Sequence, residues 1–284
     1  MAALRLQLDQ LDLYRKGQKI LSGLSLRIDA GKIWVLVGDN GAGKTTLLQA
    51  LAGSCPEQLL WRGGQPDWPV AAPQLPGFRS LARQGEGRAL GLSVADIMHL
   101  AAPEPQKSMM AWGLMDLAKR RVNELSAGQR QRLELARSEA QLRQPGLWLL
   151  DEPYAALDRH WQAGLTARIR AFSHLGGAVL LSMHDRELAL QLGHQVLVLA
   201  EGCQRYVGDV AMLKEPALDR LLSGDAQFAL QQQPFAFQSE AVSRQVAVMG
   251  NHAVARDEKR QGVAGTGTSH STLSGRFAED QGDF

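Results

Sequence analysis

The sequence predicts an α/β domain built on a mostly parallel sheet, and two observations carry that prediction. Short apolar runs at 33–37, 147–150, 179–181 and 196–200 contain no polar residue, as strands buried on both faces of a parallel sheet require. Helical patterns at 44–51, 127–141 and 160–173 separate these runs, and strand–helix alternation is the signature of an α/β fold.

The remaining segments follow in chain order. Residues 4–28 alternate apolar and polar positions, the pattern of antiparallel strands, with turns expected at Lys16-Gly17 and at 29–32. Residues 55–88 are rich in Pro and Gly and show little periodicity. The stretch 93–122 reads as helix broken by Pro103 and Pro105, and the region about 85–140 as a small helical insertion. Residues 1–224 therefore form one expected domain. Beyond it, Gln231-Gln232-Gln233-Pro234 and the Gly/Thr-rich 262–269 offer little to bury, so 225–284 is expected to be a flexible tail. No internal repeat is visible.

Bulk properties narrow the function classes. The 284 residues carry 31 basic and 29 acidic side chains, a formal charge of +2, which gives no basic face of the kind that binds nucleic acid. The arginines around 119–132 read as a solvated helix face. Cys55 and Cys203 are the two cysteines, far apart and without metal-ligand spacing, which favours a reducing compartment. No apolar run reaches the roughly 18 residues of a membrane span, and Met1-Ala2-Ala3-Leu4-Arg5 lacks the blocks of a signal peptide. The chain is expected to be soluble by itself, with any membrane role supplied by a partner.

Chemistry is concentrated in three words. Gly38-Asp39-Asn40-Gly41-Ala42-Gly43-Lys44-Thr45 follows the strand 33–37 and precedes the helix 44–51, the context that a phosphate-binding P-loop requires. Its glycines let backbone N–H groups converge on phosphates, and the helix N-terminus, with Thr45 and Thr46 in its first turn, adds partial positive charge. Lys44 is expected to reach the β- and γ-phosphates of ATP, and the Thr45 hydroxyl to ligate Mg²⁺. The run 147–150 delivers Asp151 and Glu152 to the crevice at the carboxyl ends of the strands. Asp151 suits Mg²⁺, through water, and Glu152 suits a general base on the attacking water. The competing reading, a strand end followed by a Pro turn, weakens once a P-loop stands upstream. The fold class is thus a P-loop NTPase core with an N-terminal antiparallel β-subdomain and a small helical insertion.

The middle word, Leu125-Ser126-Ala127-Gly128-Gln129, resembles the signature of the ABC-type ATPases, with Ala127 where Gly is more usual. Ser126 stands where it can cap a helix and Gly128 permits close approach, so the segment is a second anion site. Taken alone it is a plain capped helix. The resemblance implies that Ser126, Gly128 and Gln129 meet the γ-phosphate held by another subunit, sandwiching ATP between two copies. It also implies that Tyr14 stacks on adenine, that Gln84 touches Mg²⁺ and the attacking water, that Asp158 lies in a loop crossing to the other subunit, and that His184 contacts the γ-phosphate. Tyr14 as an ordinary packed strand residue is the alternative at that position. The resemblance spans 4–222.

What the resemblance implies for function is an ATP-hydrolysing subunit of a membrane transporter, working as a homodimer at the cytoplasmic face of the inner membrane, with separate transmembrane permease subunits. Leu197-Val198-Leu199-Ala200-Glu201-Gly202, Gly208-Asp209 and an expected helix to Leu222 are similar to importers of metal chelates and cobalamin-like cofactors. The short insertion is also similar to haem-exporter ATPases. Soluble ABC proteins of translation or DNA repair are the third reading. They are disfavoured because one cassette is present and no heptad pattern lies between Thr45 and Leu125. No nucleic-acid partner is expected.

Overall fold

The computed structural model describes residues 5–54, 58–68, 77–83, 91–143, 145–212, 220 and 222–223. Nine strands form one sheet in the order β4-β1-β2-β9-β8-β3-β7-β6-β5. Strands β3 (Ile33–Gly38), β5 (Arg79–Ala82), β6 (Leu147–Leu150), β7 (Ala178–Ser182) and β8 (Gln195–Ala200) run parallel. β1 (Arg5–Arg15), β2 (Gln18–Asp29) and β4 (Leu59–Arg62) are antiparallel neighbours, and β9 (Cys203–Asp209) runs antiparallel to β8. The mixed sheet with its antiparallel N-terminal strands is the architecture the apolar runs anticipate.

Side chains of each central strand alternate between two cores. Ile33, Val35 and Val37 join one cluster with Trp148, Leu150, Val179 and Leu181, and Trp34 and Leu36 join the other with Leu147, Leu149 and Leu180. This two-sided burial is why the runs carry no polar residue, each fully buried aliphatic side chain contributing about 1.5–3 kcal/mol. The first core is covered by α2 (Val94–Ala101), α4 (Ala127–Gln141), α5 (Arg159–His174) and α6 (Arg186–Leu192). The second is covered by α1 (Lys44–Ala52) and by the leucines of β1 and β2. The hairpin turn falls at Lys16-Gly17 as expected, both with positive φ (49° and 80°), the conformation of a tight two-residue connection.

The segment 93–122 contains α2, then α3 (Gln106–Ala111) with Pro105 at its N-cap, then two 3-10 turns, so the prolines do interrupt it. Ser93 and Asp96 cap α2 reciprocally. Where a helix to Leu222 is expected, Val210–Met212 is a 3-10 turn and Arg220 and Leu222 are helical, while residues 213–219 and 225–284 lie outside the described residues.

At the amino ends of the parallel strands His194 closes the sheet. Its Nδ1 accepts from the Ile33 amide (3.2 Å) and its own amide donates to Ile33 O (2.8 Å). Burial lowers its pKa, as do the positive charges of Lys32, His174 and Arg170, and Asp209 opposes them in part. A depressed histidine pKa means the folded state excludes a proton that the unfolded chain accepts. The contribution of His194 is therefore complete above about pH 6.5, the ordinary histidine value, and is lost as pH falls below it. We expect the thermal midpoint to drop below that pH in the wild-type chain and to drop less in His194→Gln. An equal drop in both would assign the acid loss elsewhere.

Candidate nucleotide site

The connection from β3 to α1 is the P-loop. Gly43 is the N-cap of α1 at φ 103°, and a Cβ there would stand 2.7 Å from Leu21 Cδ2, so only glycine fits. Gly41 also has positive φ (84°), and a Cβ on Gly38 would meet Leu199 O at 2.4 Å. Lys44 is buried and donates from Nζ to Gly38 O (2.7 Å) and Asp39 O (3.0 Å), holding the loop in its curved form. Asn40, Gly41 and Thr45 are exposed at the mouth, and Ala42 and Thr46 are buried beneath it. Burial lowers the Lys44 pKa, while the carboxylates of Glu152, Asp151 and Asp39 act to raise it. Lysine and carboxylates thus share one crevice.

Directly after β6 comes Asp151, which is buried and accepts from Ser182 Oγ (2.7 Å). The same hydroxyl accepts from the Glu152 amide (2.8 Å), so one serine at the end of β7 locks both acidic residues. Glu152 has φ 46°, an uncommon conformation for a non-glycine residue and a strain of about 1–3 kcal/mol that neighbouring contacts must hold. Its Oε1 lies 2.5 Å from His184 Nε2, an imidazole half-exposed above it. Ser182 was not singled out by its sequence context. A hydroxyl two residues before His184, at the end of an apolar strand, is the signal that could have found it.

Ser126 caps α4: its Oγ accepts from Gln129 N (3.2 Å) and Gln129 Oε1 accepts from Ser126 N (2.9 Å). Such a cap stabilises a helix by about 1 kcal/mol and leaves its first turn pointing outward. A Cβ on Gly128 would meet Ala156 O at 2.9 Å, so this turn lies against the loop after Glu152. Asp158, in that loop, is exposed and accepts from Trp161 N (3.0 Å) as the N-cap of α5. Its carboxylate therefore has a local capping role that the sequence reading did not include.

Tyr14 is half-buried on the face of the antiparallel strands, with the Arg62 guanidinium 4.5 Å from its ring centroid and Lys19 Nζ at 5.6 Å. Lys19 also pairs with Asp12 (2.6 Å). Gln84 lies outside the described residues, which break off at Arg83, just after β5, and resume at Gly91.

The residues fit a magnesium nucleotide. A glycine-lined loop with no room for Cβ at Gly38 or Gly43, a buried lysine aimed at its carbonyls, a hydroxyl at the mouth and a buried carboxylate form the donor set of that ligand. When bound, Mg²⁺ neutralises charge on the transferring phosphoryl group.

Sheet and crevice together are those of a P-loop nucleotide hydrolase. A family model described as "ABC transporter" matches residues 21–155. The hemin import ATP-binding protein HmuV of Idiomarina loihiensis is 33% identical over 232 residues, covering 76% of this chain and 90% of the relative. The cytochrome c biogenesis ATP-binding export protein CcmA of Alcanivorax borkumensis is 35% identical over 208 residues, covering 70% of this chain and 93% of that protein. Among solved structures, an inward-facing ABC transporter described as of the metal-chelate type superposes with a TM-score of 0.64 at 22% identity, covering 78% of this chain and 89% of that one. The chain belongs to the ABC transporter family, as the ATP-binding subunit that hydrolyses ATP to drive transport in a complex with a permease. No helix among the described residues is long and apolar enough to cross a membrane.

Proposed function

We propose that this subunit works as a homodimer on the cytoplasmic face of the cell membrane and powers import of a metal-chelate cofactor of the haem or cobalamin type. The observation that carries the mechanism is the convergence of Lys44, Asp151, Glu152 and His184 in one crevice. Lys44 and the P-loop amides bind the β- and γ-phosphates, Thr45 and Asp151 hold Mg²⁺ with Gln84, and Tyr14 stacks on adenine. Glu152 takes the proton of the attacking water, and His184 orients Glu152 and contacts the γ-phosphate. Ser126, Gly128 and Gln129 of the other copy close the site, and Asp158 lies in the crossing loop. Filling both half-sites draws the copies together, and loss of the γ-phosphate releases them.

Residues 1–224 make up the ATP-binding domain in this reading, and 225–284 are dispensable for hydrolysis. Import is supported by relatives named for hemin import, and a haem-exporter role by the relative named for cytochrome c biogenesis export. The permease docks on the helical segment, where Leu92, Leu100, Met110 and Met115 are large apolar side chains left exposed. Tagged chain purified from detergent-solubilised membranes in MgATP is expected to retain a polytopic membrane protein, and Leu100→Glu with Met110→Glu to lose it while ATP binding persists. Retention of ribosomes or DNA would move a soluble role ahead. Uptake of haemin, rather than its efflux, by proteoliposomes carrying the complex separates the two directions.

A further inference from the structure

The first turns of α4 lie along the loop that joins β6 to α5, residue against residue. Gly128 abuts Ala156 O. One turn on, Gln131, 2% exposed, donates from Nε2 to Pro153 O at 3.3 Å. Arg132 donates to Trp112 O (2.8 Å) and Gly113 O (3.1 Å), and its guanidinium carbon lies 4.5 Å from the Trp161 ring centroid. Trp161 in turn stacks on Trp112 (6.2 Å, 15°) and gives its amide to Asp158. Gly113, at φ 61°, could carry no side chain without meeting Arg132 and Trp161 at 2.8 and 3.0 Å.

Gln131 stands out because a buried amide is costly unless it is bonded, and an aliphatic side chain of equal length would fill the same space. Its partner is one residue beyond Glu152. The ring of Pro153 locks φ, removing a torsion that could absorb movement between the two. Glu152 itself is held in a strained conformation by Ser182 from the opposite side. A shift of α4 would thus act, through Gln131, on the backbone next to Glu152.

We propose that Gln131, with Arg132 beside it, is a positioning residue for hydrolysis: it ties the backbone next to Glu152 to the helix whose N-terminus receives the other copy's nucleotide, so that engagement of one half-site sets the base of the other. The proposal rests on the sandwiched-dimer reading above. The loop is fastened on its far side as well, by Gln162 donating to Leu157 O (3.0 Å) and by Tyr154 OH to Thr166 Oγ1 (2.9 Å). Gln131 is thus the fastening that faces the signature.

The test is steady-state hydrolysis by the full chain across ATP concentrations, comparing wild type with Gln131→Met, which keeps volume and loses the donor. Loss of one positioning bond is expected to lower kcat about tenfold with KM for ATP within about twofold, and to bring the Hill coefficient toward unity. Binding of a fluorescent ATP analogue in EDTA is expected to be unchanged. Retained kcat and cooperativity overturn the proposal, and so does a parallel loss of affinity and thermal stability, which marks a packing role. If Gln131→Met does not fold, Arg132→Lys decides: it keeps the charge and loses the flat stack on Trp161, and unchanged kcat and Hill coefficient in it overturn the proposal. A wild-type chain that hydrolyses ATP without cooperativity, and whose Glu152→Gln form stays monomeric in MgATP, instead removes the dimer reading beneath it.

Discussion

Glu152→Gln is expected to bind MgATP with wild-type affinity while kcat falls by about a hundredfold or more, the scale of a lost general base. The amide cannot take a proton from water, yet it preserves almost everything else. His184 Nε2 still meets an oxygen at the position of Oε1, and Ser182 still holds the amide at φ 46°. The fold and the P-loop are untouched, so nucleotide enters but the γ-phosphate stays. With both half-sites filled and no hydrolysis to release them, the variant is expected to elute as a dimer in MgATP and as a monomer in EDTA. Unchanged turnover would remove Glu152 from the role of base.

Lys44→Ala acts earlier, on binding. Nζ already sits on the Gly38 and Asp39 carbonyls, so the cation is pre-placed and little ordering is needed when phosphate arrives. A charge-assisted bond of this kind is worth about 1.5–3 kcal/mol, and ATP affinity is expected to fall by about tenfold to a hundredfold or more. The thermal midpoint is expected to change little, because burial of the ammonium is itself unfavourable, as its lowered pKa records. Calorimetric titration with MgATP reads both the affinity and the heat. Near-wild-type affinity would place the phosphates away from Lys44.

Much of this was legible in the chain. The P-loop, the acidic strand end and the capped signature helix each occupy the position their spacing implies, because each is a local rule: a glycine where no Cβ fits, an apolar run buried on two faces, a serine three residues from its amide partner. The edge strands β4 and β5 were not legible. Arg79-Ser80-Leu81-Ala82 is too short and mixed to show a period, and its register is set by pairing with β6. Its outer edge is satisfied by α4, with Arg137 Nη2 donating to Leu81 O (2.9 Å) and Glu134 Oε1 accepting from Arg83 N (3.2 Å). β9 likewise carries Gln204 and Arg205 where a buried strand would show aliphatics, and α6 gives only about two polar-flanked turns. At the site, Ser182 and Arg62 were missed for the same reason: each acts through a neighbour far away in sequence. Lys44 and Asp151, by contrast, announce themselves through the motif in which they sit.

The stacked indoles of Trp112 and Trp161 have an optical consequence. One belongs to the helical segment and the other to the helix after the nucleotide loop, their planes 15° apart and each backed by a guanidinium, Arg168 on the first and Arg132 on the second. Parallel rings at that separation share their excited states and are quenched by their neighbours. A rotation of the helical segment against the loop would change the near-ultraviolet dichroism and emission of the pair, so adding MgATP and reading those signals tests for such a movement without a label.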